Sequence, residues 1–182
     1  MTDAIVLLKN DHKEVERLFK QFEKLGDGAH ASKRKVVDQI IEALSVHAAI
    51  EEMHFYPTVR KQVPDIGDEV LEGLEEHHIV KWTLSELKDM DPEHERFDAK
   101  VTVLIESVRH HVEEEEGEMF PQVREAMGRK ALQELGEVLE SAKGGAPVEP
   151  YPKAPDEPPA NLVAGPAAGG VSRGKRKLLG HP

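Results

Sequence analysis

Six residues in this sequence have the types and spacing of a metal-binding set: His12, His47, Glu51, His77, His111 and Glu115. Imidazole is the commonest metal ligand in proteins, and carboxylates suit hard cations. His47 and Glu51 stand four residues apart, as do His111 and Glu115. On a helix that spacing stacks the two side chains on successive turns of one face. A cation between helices could take the imidazole of one turn while the carboxylate of the next reaches a second cation. The two pairs lie in an internal repeat. Residues 47–60 align without gaps on residues 111–124 at an offset of 64, matching His, both Glu, Pro, Val and Arg. His12 and Val15 match His77 and Val80 more weakly, at an offset of 65. Two related halves, each with two histidines and one glutamate, suit two metal ions.

The elements that must position these residues are helices. Apolar residues recur at spacings of three and four through residues 1–143, and no segment alternates as a half-buried strand would. The first helix is expected over about 3–25, with Thr2 or Asp3 as its cap and 26–28 as its stop. The second runs from after Ser32 to about Val63 and the third from about Asp65 to Met90. Asp91-Pro92 opens the fourth, which runs to about Met127, and Gly128 sets off a short fifth helix. Short connections between long helices give an antiparallel, up-down-up-down four-helix bundle. Pro57 and Pro121 fall late in the second and fourth helices and should kink them.

Each helix has one core-facing stripe. These are Ile5, Leu8, His12, Val15, Phe19 and Phe22; then Ile40, Leu44, His47, Glu51 and Phe55. The third helix gives Val70, Leu74, His77, Val80, Leu84 and Leu87. The fourth gives Phe97, Val101, Leu104, Val108, His111, Glu115 and Met119. Every stripe is apolar except where it carries a histidine, with a glutamate added in the second and fourth. Buried carboxylates are costly unless paired, protonated or bound to a cation. A metal centre satisfies all six polar groups together. The other histidines read otherwise. His30, His94 and His181 fall in loops or the tail, and His54, His78 and His110 sit beside the stripes as surface or outer groups. In the Glu113–Glu116 run only Glu115 has the inward phase, and the rest reads as a solvated face. Tyr56 reads as an edge or rim residue, and Trp82 as core or rim.

The 182 residues contain no cysteine, which excludes disulfides, iron–sulfur clusters, thiolate zinc sites and cysteine nucleophiles. The net charge is -11. Residues 144–182 hold 7 Gly and 8 Pro and read as a disordered tail, ending in a basic cluster at 173–177. That tail is slightly basic, so the body carries the acidity, which argues against nucleic-acid binding by the bundle. No apolar run is long enough for a membrane span, and no secretory leader is legible, so a cytoplasmic location is expected. The tail's partner stays open.

At these residues the sequence resembles the hemerythrin-like, or HHE cation-binding, family over roughly residues 3–127. The motifs are His12, His47-x-x-x-Glu51, His77 within Glu-Glu-His-His, and His111-x-x-x-Glu115. The resemblance implies a four-helix bundle around a non-haem di-iron centre. Glu51 and Glu115 would bridge two iron ions; His12 and His47 would bind one, His77 and His111 the other. The oxygen-carrying members have a second histidine where this chain has Lys81, and an aspartate five residues after the fourth-helix histidine, where this chain has Glu115 at four. The pattern is that of a non-classical branch. Two ferrous ions against two carboxylates leave positive charge that grows on oxidation, which favours oxo or hydroxo bridging. The expected ligands are therefore dioxygen, hydrogen peroxide or nitric oxide, in redox or oxidative-stress response. A peroxidase-like, catalase-like or nitric-oxide-consuming enzyme fits. So does a non-enzymatic iron or oxygen sensor, or a metal-free helical interaction scaffold.

Overall fold

The computed structural model describes residues 2–153, which are helical without a strand. The first helix, α1 (Ala4–Glu23), starts at Asp3, whose Oδ1 accepts the Val6 N–H at 2.9 Å. Asp3 rather than Thr2 thus satisfies one of the donors orphaned at the helix start. α2 (His30–Ile50) begins before the expected Ser32 boundary and runs through a π-helical turn, Glu51–Phe55, into α3 (Tyr56–Gln62). A 3-10 turn, Pro64–Ile66, leads into α4 (Gly67–Asp89). α5 (Phe97–Glu114) passes through a second π turn, Glu115–Met119, into α6 (Phe120–Lys143). The expected helix start at Asp91 is not observed. Asp91 Oδ1 instead accepts the Glu93 N–H at 2.8 Å, and this local turn defers the helix to Phe97.

The expected kinks at Pro57 and Pro121 take the form of the two π turns. Tyr56 N–H reaches back five residues to the Glu51 carbonyl, and Phe120 N–H to that of Glu115. Both turns begin at a glutamate of the candidate set. Such π turns inside α-helices are frequent at functional sites.

The helices form an antiparallel bundle, and α6 bends at Gly128. Its φ of 71° is open to glycine at little cost. The bend lays Leu132, Leu135 and Leu139 onto Ile5 and Leu8 of α1. The chain stays packed beyond Lys143: Ala146 and Val148 are buried, and Lys88 Nζ donates to Glu149 Oε2 at 2.7 Å. The ordered body therefore passes the expected boundary. The remainder of the expected tail, with its basic cluster and His181, lies outside the described residues. No helix among the described residues is long and apolar enough to cross a membrane.

Every stripe residue named from the sequence is buried. The apolar ones divide into two clusters. One gathers Ile5, Leu8, Phe55, Val70, Leu74 and Met119; the other gathers Val15, Phe19, Leu44, Val80, Leu84 and Val108. The histidines and glutamates form a polar band between them.

Candidate metal centre

The four helices bring the six expected residues to one level. His12 of α1 and His47 of α2 place their Nε2 atoms 3.2 Å apart. His77 of α4 and His111 of α5 do the same at 3.2 Å. Each glutamate reaches one histidine of each pair. Glu51 Oε2 lies 3.1 Å from His47 Nε2 and 3.4 Å from His77 Nε2. Glu115 Oε2 lies 3.3 Å from His12 Nε2 and 3.6 Å from His111 Nε2. Two groups of potential ligands result: His12, His47, Glu51 and Glu115; and Glu51, His77 and His111. All six side chains are buried.

The inward nitrogens are free to act as ligands because an outer carboxylate faces each Nδ1. Glu116 lies 2.9 Å from His12 Nδ1, Glu52 3.2 Å from His77 Nδ1 and Glu76 2.6 Å from His111 Nδ1. Asp11 faces His47 Nδ1 at 3.6 Å, beyond hydrogen-bond range. An ionised carboxylate can only accept, so it keeps the proton on Nδ1 and leaves the Nε2 lone pair directed inward. Metal-binding histidines usually have such a partner. The outer groups obey the internal repeat: Asp11 and Glu76 precede the α1 and α4 histidines, and Glu52 and Glu116 follow the inner glutamates.

These four carboxylates are the residues that sequence reasoning missed. The Glu113–Glu116 run read as solvated beyond Glu115, yet Glu116 binds His12. Glu52 is only 6% exposed. A π turn widens the helix locally, so two consecutive residues can serve the interior. The duplicated Glu-Glu in the repeat was the signal for this. Lys81 stands where the sequence resemblance implies a second histidine. Its Nζ instead donates to Glu52 at 2.8 and 3.0 Å, bracing the carboxylate behind His77.

Tyr56 is buried in the site, not at its rim. Its hydroxyl donates to Glu115 Oε1 at 2.8 Å and lies 3.5 Å from His77 Nε2. The remaining histidines stay outside. Trp82 Nε1 donates to His78 Nε2 at 3.1 Å on a half-exposed rim. His30 contacts the Pro92 carbonyl, the His94 ring accepts the Arg96 N–H, and exposed His110 pairs with Glu114. His54 is partly buried and belongs to neither inner group.

The electrostatics show how poorly protons alone satisfy this band. Burial pushes His47 down to about 4 and lowers His77. Burial also opposes charge on His111, but the Glu115 charge and the Glu76 hydrogen bond outweigh it and raise its pKa. Burial, then the Glu115 charge, raises Glu51 well above the usual carboxylate range. Glu115 is driven the other way: its burial is overcome by His111 first and then by the nearby His12 and His47, which hold it well below that range. Both Glu51 oxygens and Glu115 Oε2 accept no hydrogen bond. Buried carboxylate oxygens without donors, facing four imidazole nitrogens, fit a cation, whose charge would offset their burial.

Comparison with known proteins agrees. The hemerythrin HHE cation-binding domain model matches residues 3–123. An uncharacterized hemerythrin-like protein of Schizosaccharomyces pombe is 26% identical over 166 residues, covering 91% of this chain and 79% of that protein. A DNA nickase of Nostoc is 27% identical over 137 residues, covering 75% of this chain but 38% of that protein. A crystal structure of a hemerythrin HHE cation-binding domain-containing protein from Mycobacterium kansasii superposes with a TM-score of 0.65 at 23% identity, covering 79% of this chain and 89% of that one, which shows the shared fold. With its four-helix architecture and His/Glu clusters that could bind metal, this chain belongs to the hemerythrin HHE cation-binding domain family.

Proposed function

We propose that this protein holds two iron ions in the polar band and binds or reacts with dioxygen, hydrogen peroxide or nitric oxide. One observation carries the reading: each buried glutamate reaches one histidine of each pair. Such a donor set would suit two cations sharing two carboxylates. His12 and His47 would hold one iron, His77 and His111 the other, with Glu51 and Glu115 shared. Mixed nitrogen and oxygen donors suit iron or manganese. Bound iron would supply the Lewis acidity and the electrons for such chemistry.

The chain's own groups do the rest. Val15, Leu44, Val80 and Val108 wall a cavity of about 20 Å³ beside the four histidines. That is room for one water-sized molecule beside the histidines. Burial and then the Glu115 charge push Tyr56 far up, so it stays a phenol with a proton 2.8 Å from Glu115 Oε1. It orients that carboxylate beside His77.

Iron content per chain, with optical spectra before and after each oxidant under otherwise anaerobic conditions, tests the reading. Two irons and repeated turnover with one oxidant support it; a protein that takes up no iron would sink it. A second reading, an iron or oxygen sensor, draws on the band's position. It divides the apolar core in two, so metal occupancy is tied to helix order. Stoichiometric reaction without turnover favours that alternative.

A further inference from the structure

The internal repeat makes the two ends of the polar band nearly equivalent, and the places where it fails are informative. Gly73 of α4 corresponds to Leu8 of α1, and Tyr56 to Phe120. Leu8 is fully buried, and the Phe120 ring stacks on His12 with centroids 5.9 Å apart. That end is sealed, with the last part of α6 laid over it. At the other end Gly73 is a buried glycine that lines a cleft, and Tyr56 fills the place a side chain would take. A Cβ there would lie 3.0 Å from Tyr56 Oη and 3.6 Å from His111 Cε1.

The cleft, of about 50 Å³, lies between α4 and the α5 π turn. Glu69, Glu72, Glu76, Glu114 and Glu118 line it, and His111 and Glu115 form its inner end. The repeat counterparts of Glu69, Glu72 and Glu114 are Ala4, Leu7 and Ile50, all buried and apolar. Where one end has core, the other has carboxylates. Two further observations point to a cation there. Glu115 is 2% exposed and its Oε2 accepts no hydrogen bond. At the rim, Glu76, His110 and Glu114 offer three ligand atoms within 4.8 Å of one another.

We propose that this cleft is the entrance to the metal centre, where the Glu76–His110–Glu114 rim captures a divalent cation and the glutamates steer it to the His77–His111 pair. The inference rests on the reading of the band as a metal centre and adds how it is loaded and what is kept out. A low-dielectric cleft lined with one sign of charge concentrates the opposite sign and accelerates its arrival. Uncharged dioxygen, peroxide and nitric oxide pass without this penalty, whereas small anions are repelled.

The experiment is anaerobic stopped-flow loading of the metal-free, full-length protein with ferrous ion. It compares the wild type with the triple variant Glu69→Gln, Glu72→Gln, Glu118→Gln, none of them a ligand of the centre. At low ionic strength the triple variant should load about tenfold more slowly, with the gap closing in high salt and the final iron content equal. Azide should reach its loaded centre several-fold faster than in the wild type. Equal loading rates for the wild type and the triple variant at low salt, with full final iron, would overturn the entrance and leave the centre standing. A wild type that takes up no iron would overturn the centre itself.

Discussion

Tyr56 donates a hydrogen bond to Glu115 across the bundle at 2.8 Å, and its repeat counterpart Phe120 has no hydroxyl to make the equivalent bond to Glu51. The two halves of the centre are therefore chemically unequal. Tyr56→Phe should keep its iron, because no ligand is lost. The metal-free protein should lose about 1.5–3 kcal/mol, as expected for a buried hydrogen bond to a charged acceptor. Mössbauer spectra of the loaded variant should show more similar iron environments than the wild type. Unchanged spectra would separate Tyr56 from the centre.

Glu51 gives a prediction of opposite sign in the two states. Its raised pKa means that, above its ordinary 4.5, the folded chain retains a proton that the unfolded chain releases. Stability therefore falls as pH rises. Glu51→Gln should stabilise the metal-free protein by about 1–3 kcal/mol at pH 7, and the gain should fade toward pH 4.5. With iron supplied, the same variant should melt below the wild type. Denaturant titrations with and without metal check both signs.

Glu52 holds His77 and is braced by Lys81. Glu52→Gln should weaken iron binding about 10- to 100-fold without abolishing it, the usual cost of losing a ligand's orienting partner. Competition with a chelator reads this directly. His47→Ala, which removes a ligand, should lose the metal outright; full retention would refute the ligand set.

His47 dictates a pH dependence. Burial holds its folded pKa at about 4, against 6.5 unfolded. As pH falls below 6.5 the unfolded chain takes up a proton that the folded chain refuses, so the wild type loses stability until about pH 4. The stability difference between metal-free wild type and His47→Gln should move against the wild type by about 3 kcal/mol across that window. A difference that stays flat from pH 7 to 4 would contradict a neutral, buried His47.

The sequence by itself determined the helices, their inward faces and the level of the polar band. The three-and-four periodicity fixes which side of a helix is apolar, and every stripe residue from Ile5 to Met119 is buried. The repeat likewise placed His47 with His111 and Glu51 with Glu115. Only the tertiary structure decided how these groups meet. Periodicity says nothing about which helices are neighbours, so it could not show from the residues alone that Glu51 spans from His47 to His77. Nor could it reveal that Asp11, Glu52, Glu76 and Glu116 face the histidines of adjacent helices. Those contacts depend on side-chain reach between helices and on two π turns that bring a second glutamate inward. The unequal ends of the band have the same origin. Gly73 and Leu8 are ordinary residues in one dimension; packing sets one against Tyr56 at the wall of a cleft and buries the other in the core.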